Sequence, residues 1–111
     1  MLDIQTFSQL ERSGLSLNYE RFESKSDGIS IPLTISEFKI LFVLLKRSGL
    51  VVSREHLKKV VAPNHTIIDR NVDVHVRAIR RKLGLKGSFI RTVRGLGYRW
   101  DEERMIEKMV S

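Results

Sequence analysis

The stretch DRNVDVHVRAIRRKL, Asp69–Leu83, decides how the rest of the chain is read. On an α-helix, at 100° per residue, Val72, Val76, Ile79 and Leu83 fall on one side. Arg70, Val74, Arg77 and Arg81 fall on the opposite side, with Asp73 and Ala78 beside them. One face is core; the other is an arginine stripe with one valine set into it. Arginine forks to phosphate or to guanine, and a small apolar group can meet a thymine methyl. The pattern suits a helix that reads DNA. A basic amphipathic helix taken alone is more often a solvated surface helix, so the decision rests on what surrounds it.

The surrounding charge favours a polyanion. The chain has 111 residues and a net charge of +7. Residues 1–53 hold six Lys/Arg and six Asp/Glu, whereas residues 54–100 hold twelve against three, a net +9. The tail, 101–111, holds two against four. Such a confined excess is the footprint of a nucleic-acid binder. An anionic membrane is a poorer partner, because the basic helix lacks a Trp, Phe or Leu face that could enter lipid.

Composition excludes other classes. The chain suits one domain, and an apolar fraction of 41% suits a folded one. Without cysteine there is no disulfide framework, Cys-type zinc site or thiol nucleophile. The apolar run Ile40–Leu45 is too short to span a bilayer, and residues 1–20 show no secretory pattern, so a cytoplasmic protein with no membrane partner is expected. His56, His65 and His75 have no carboxylate at ligand spacing, so neither a metal nor a cofactor is expected. With no nucleophile motif, the chain reads as a binder rather than an enzyme.

The elements follow from periodicity. Leu15, Leu17 and Tyr19 alternate with polar residues, as do Ile29, Ile31 and Leu33, which predicts strands. Asp27-Gly28 signals the hairpin turn between strands, and Phe22 belongs by this reading to the strand before it. A further strand is weakly signalled near Ile4–Ser8. Thr34 and Glu37 have capping-box spacing ahead of a helix over Ser36–Arg47 that is apolar nearly all round. Ser53 caps a short helix, Arg54–Val61, with Leu57, Val60 and Val61 inward, and Pro63 stops it. Ala62–Ile68 is a loop, Asp69 caps the third helix, and Gly84 ends it. Lys86-Gly87 is a turn. Phe89–Thr92 and Tyr98–Trp100 are strands joined through Arg94-Gly95-Leu96-Gly97, where the glycines serve a tight hairpin.

A helix pair, a basic helix and a hairpin make a winged helix-turn-helix. The segments LTISEF (Leu33–Phe38), VVSREHL (Val51–Leu57), DRNVDVHVRAIRRKLG (Asp69–Gly84) and IRTVRGLGYRW (Ile90–Trp100) resemble the OmpR/PhoB family of transcription-factor effector domains, in order, across about Leu15 to Trp100. The resemblance implies an α+β fold: an N-terminal antiparallel sheet, a three-helix core and a C-terminal β-hairpin wing. It implies a linker or N-terminal extension over 1–11, a DNA-binding domain over 12–100 and a tail over 101–111. Met105, Ile106, Met109 and Val110 give that tail the spacing of a short helix.

Function is implied by the same resemblance. Double-stranded promoter DNA is the expected partner, with helix 70–83 in the major groove and wing 92–98 on the minor groove. Arg70, His75, Arg77 and Arg80 would hold phosphates; Asn71, Asp73, Val74 and also Arg77 would lie closest to bases. Arg81 completes the stripe, although it also suits a helix C-terminus. Asp73 alternatively serves the helix dipole or pairs with Arg77. On the wing, Arg94 would enter the minor groove while the hydroxyls of Thr92 and Tyr98 reach phosphate. Most members carry a receiver domain, so the resemblance implies the effector domain of a response regulator or a stand-alone, atypical member. Members often bind direct repeats as tandem copies, so a dimer on DNA is expected, and the loop matching 62–68 usually touches RNA polymerase. Two positions depart from the family: Ala62 stands where tryptophan is usual, and Ala78 where some relatives read bases with arginine. An RNA-binding winged helix and a protein-interaction module are the alternatives. The specific helix and wing motifs oppose the first, and the +9 segment opposes the second.

Overall fold

The computed structural model describes residues 8–62 and 71–102. Its first layer is a four-stranded antiparallel sheet, β1 (Gln9–Arg12), β2 (Leu15–Asn18), β3 (Glu23–Ser26) and β4 (Ile29–Ser30), in that spatial order. Leu15 and Leu17 point inward, as their alternation predicts, while Ile29 stays exposed on the edge strand. Asp27 and Gly28 both take positive φ, 50° and 82°, which is what a two-residue primed turn between twisted strands requires. Most of the strand expected near Ile4–Ser8 lies outside the described residues; β1 pairs Gln9–Arg12 with β2, which draws Gln9–Glu11 out of the expected extension and into the sheet. Phe22 is not in a strand. It has φ 49° in the turn before β3, and its ring packs 5.1 Å from those of Tyr19 and Phe38.

Helix α1 (Ile35–Lys46) is the centre of the molecule. The Thr34 hydroxyl accepts from the Glu37 N–H at 3.2 Å, and Glu37 accepts from the Thr34 N–H at 2.9 Å, the expected capping box. Phe38, Ile40, Leu41, Phe42, Leu44 and Leu45 are buried on nearly all sides, because the sheet packs on one flank and two helices on the other. Helix α2 (Arg54–Val61) begins where Ser53 accepts from the His56 N–H at 3.0 Å. Leu57 and Val61 are buried and Val60 only half so.

Helix α3 spans Val72–Leu83. Its N-cap is Asn71, whose side chain accepts from the Val74 N–H at 3.3 Å, and not Asp69, which lies outside the described residues together with Pro63 and most of the expected loop. Both residues are good caps. The helix starts at the one that lets Val72 turn directly into the core. Val72, Val76, Ile79 and Leu83 are all buried, each such side chain contributing about 1.5–3 kcal/mol relative to exposure.

A 3-10 helix, Gly84–Phe89, replaces the simple turn expected at Lys86-Gly87 and takes Phe89 out of the strand. Strands β6 (Ile90–Val93) and β7 (Gly97–Trp100) form the wing hairpin, with Thr92 opposite Tyr98. A third strand, β5 (Val52–Ser53), pairs with β7 to give the order β5-β7-β6. Two residues are too few for a periodicity, so β5 has no signature in sequence. Gly97 is where β7 crosses closest to β5: a side chain there would collide with the Val52 carbonyl, and its φ of 150° also disfavours one. Trp100 is fully buried against Phe89, ring centroids 5.3 Å apart.

Candidate nucleic-acid interface

The face of α3 opposite its core residues is open. Asp73, Val74, Arg77 and Arg81 are exposed, Val74 to 51%, and His75 and Ala78 are half-buried at its borders. The helical phase predicted for this stripe is therefore the observed one. Asn71 is exposed at the start of the helix, and Arg70 lies outside the described residues.

Several expected contact residues have structural partners within the domain. Arg80 donates through Nε and Nη2 to the Ile90 carbonyl at 3.1 and 2.7 Å, and through Nη2 to the Thr92 hydroxyl at 2.8 Å. Its guanidinium thus fastens α3 to β6, an alternative use of a fork that the sequence assigned to phosphate. Thr92 remains exposed at this junction, on the strand leading to the wing tip. Tyr98 does not offer a free hydroxyl: its side chain is 4% exposed in total, and the hydroxyl donates to Asp73 Oδ1. Asp73 does not pair with Arg77. Arg54, the first residue of α2, donates to the same Oδ1 at 2.9 Å. Strand β7 sits close enough to both helices for this because β5 holds it there.

The electrostatics follow from that convergence. Hydrogen bonds from Tyr98 and Arg54 hold the Asp73 carboxyl below the ordinary aspartate range. Burial, reinforced by the Asp73 hydrogen bond, pushes the Tyr98 phenol up. The Asp73 hydrogen bond raises Arg54. Two cations approach the Tyr98 ring, with the guanidinium carbons of Arg54 and Arg80 at 5.1 and 5.6 Å from its centroid. Arg54 is the member of this cluster that reading the chain missed. Its only local sign is its place as the first residue after the Ser53 cap. Its partner is 19 residues away on another helix.

At the wing tip, Arg94, Gly95 and Leu96 are exposed, and the Leu96 N–H closes the turn on the Val93 carbonyl at 2.9 Å. Gly95 has φ 80°, which fits the hairpin reading of its glycines. On the far side of α3, Lys82 donates to Glu37 at 2.6 Å. It joins the last turn of α3 to the first turn of α1. Burial raises the Glu37 carboxyl, but the Lys82 and Thr34 hydrogen bonds outweigh it and hold the group below its usual range.

A family model described as "Transcriptional regulatory protein, C terminal" matches residues 28–100. The chain belongs to that family. Its fold and motifs are those of the OmpR/PhoB winged-helix effector domain. The transcriptional regulatory protein CpxR of Klebsiella pneumoniae is 42% identical over 93 residues, covering 80% of this chain and 40% of that protein. The chain thus spans about two fifths of the length of the curated relatives it matches. The crystal structure of the DNA-binding domain of CpxR from E. coli superposes with a TM-score of 0.73 at 39% identity, over 84% of this chain and 95% of that one. The DNA-binding domain of Klebsiella pneumoniae RstA, solved in complex with the RstA box, superposes with a TM-score of 0.70 at 26% identity, over 84% and 96% of the two chains. Among the described residues of this family member, no helix is long and apolar enough to cross a membrane.

Proposed function

We propose that this chain binds double-stranded promoter DNA sequence-specifically and regulates transcription, as the effector domain of a response regulator. Helix α3 enters the major groove, and the β6–β7 wing lies against the neighbouring minor groove. The observation that carries the reading is the open face of α3. Val74, Arg77 and Arg81 are exposed together, on a helix whose other face is locked into the core. Such a face combines phosphate anchors with a group that can meet a base edge. A similar domain has been solved with its DNA box.

Asn71 and Asp73 belong to the base-proximal set, and Arg70 and His75 to the phosphate set; Arg94 is the minor-groove residue. Two copies on direct repeats and a polymerase contact through residues 62–68 are part of the same proposal, resting on the family resemblance. The test is a footprint on genomic fragments followed by competition with RNA of matched length. Protection of short duplex sites that excess RNA does not relieve supports the reading. Equal competition by RNA overturns it. Cooperative filling of paired sites, lost when their spacing changes by half a helical turn, tests the arrangement on repeats.

A further inference from the structure

Asp73 is an acid beside the basic stripe, at the start of a helix proposed to meet a polyanion. Its side chain keeps 56% of its exposure, yet Oδ1 accepts from both Arg54 Nε and the Tyr98 hydroxyl. Among the described residues nothing donates to Oδ2. The carboxylate is therefore pinned by one oxygen, from two different elements, while the other is left on the recognition face. A carboxylate is acceptor-only. In the major groove it can accept from the exocyclic amine of cytosine or adenine, whereas thymine O4 and guanine O6 and N7 repel it. Unpinned, an aspartate in the first turn of a helix samples several rotamers, and DNA would favour those that turn the charge away.

We infer that Tyr98 and Arg54 are positioning residues for base selection, holding Asp73 so that its outer oxygen accepts from a base amine, cytosine N4 foremost. Neither residue needs to touch the base. Arg54 compensates the charge that the phosphates oppose, and the Tyr98 hydroxyl fixes the direction. Tyr98 is suited to this because its ring is buried, and because β7 is held by β5 on one side and β6 on the other. The wing therefore contributes to major-groove reading through α3, in addition to whatever its tip does in the minor groove. This inference rests on the DNA-binding reading above.

The experiment selects from a random duplex library with the wild type and with Tyr98→Phe, Arg54→Met and Asp73→Asn, and then measures affinities for the selected site and for random duplex. Tyr98→Phe keeps the buried ring, and Arg54→Met keeps the aliphatic stem, so folding is checked by melting but is not the readout. The wild type should prefer an amine-bearing base at one position by about 5- to 100-fold. Tyr98→Phe and Arg54→Met should shrink that preference at the same position, leaving the other positions unchanged. Asp73→Asn should abolish or switch it while binding random duplex more tightly, because one acid is lost and Arg54 is freed for phosphate. A preference that survives Asp73→Asn overturns the inference while leaving DNA binding intact. So does Tyr98→Phe or Arg54→Met weakening all sequences by one common factor. A wild type that binds no duplex overturns the functional reading itself.

Discussion

Val74 and Val76 are two residues apart, chemically identical and opposite in consequence. Val74 is 51% exposed on the stripe; Val76 is fully buried between α3 and the core. Val74→Glu should abolish specific DNA binding by setting a negative charge against phosphate, with a melting temperature close to wild type. Val76→Glu should instead unfold the domain, at a cost of roughly 3 kcal/mol or more, because a carboxylate is forced into apolar surroundings. Circular dichroism melts beside a binding titration check both. The reverse pattern would show that the helix is rotated by half a turn. The residue scale was largely legible in sequence, since a 3.6-residue period needs only the chain itself. What it did not show are the partners of Arg80 and Tyr98, side chains long enough to bond to a neighbouring element.

Helix α3 and the wing present different chemistry, and their roles separate in one experiment. Arg77 is exposed on α3, and Arg94 is exposed at the hairpin tip. Arg77→Ala should weaken binding and, where the fork reads guanine, relax preference at one position by about 1–3 kcal/mol. Arg94→Ala should weaken binding and reduce the preference for A·T-rich flanks, leaving the core motif unchanged, since a minor-groove arginine senses width and potential rather than a single base pair. Library selection with both variants gives the answer. A changed core motif with Arg94→Ala and intact flanks would place the wing elsewhere. The hairpin itself was visible from its glycines. Its attachment was not: β5 has two residues, and the Arg80 fork bridges ten residues to a backbone carbonyl, which carries no side-chain signature.

For the whole molecule, the charge distribution and the Glu37–Lys82 bridge make two independent predictions. With about five to seven phosphate contacts, log K should fall with log[salt] at a slope of about −4 to −6. A slope near zero in a salt titration rejects the phosphate-anchored reading. The bridge governs stability. Glu37 is 5% exposed and titrates below its usual range, so its stabilisation is complete above the ordinary carboxylate value of about 4.3 and fades as pH falls through the depressed one. Lys82→Met should therefore cost about 2 kcal/mol near neutral pH, where it strands a buried carboxylate, and much less in strong acid, where both proteins carry that group protonated. Denaturant unfolding of both across the acid range tests the sign: a penalty that grows as pH falls contradicts the assignment.

The order of the helices, the capping box and the inward face of α3 were readable from the sequence taken as a string, because each depends on contacts within a few residues, and the fold class followed from the family resemblance of its motifs. So was the concentration of positive charge between residues 54 and 100, which no folding can alter. What only the tertiary structure decided is which of those charges remain available. Arg54 and Asp73 are neutralised against each other across 19 residues, and Tyr98 is drawn into the same pair from 25 residues away. Lys82 is spent on Glu37 across 45. Periodicity assigns a face to each element separately. An ion pair between elements depends on how those faces are brought together, and that is set by the packing of α1 against its neighbours and of β7 between β5 and β6.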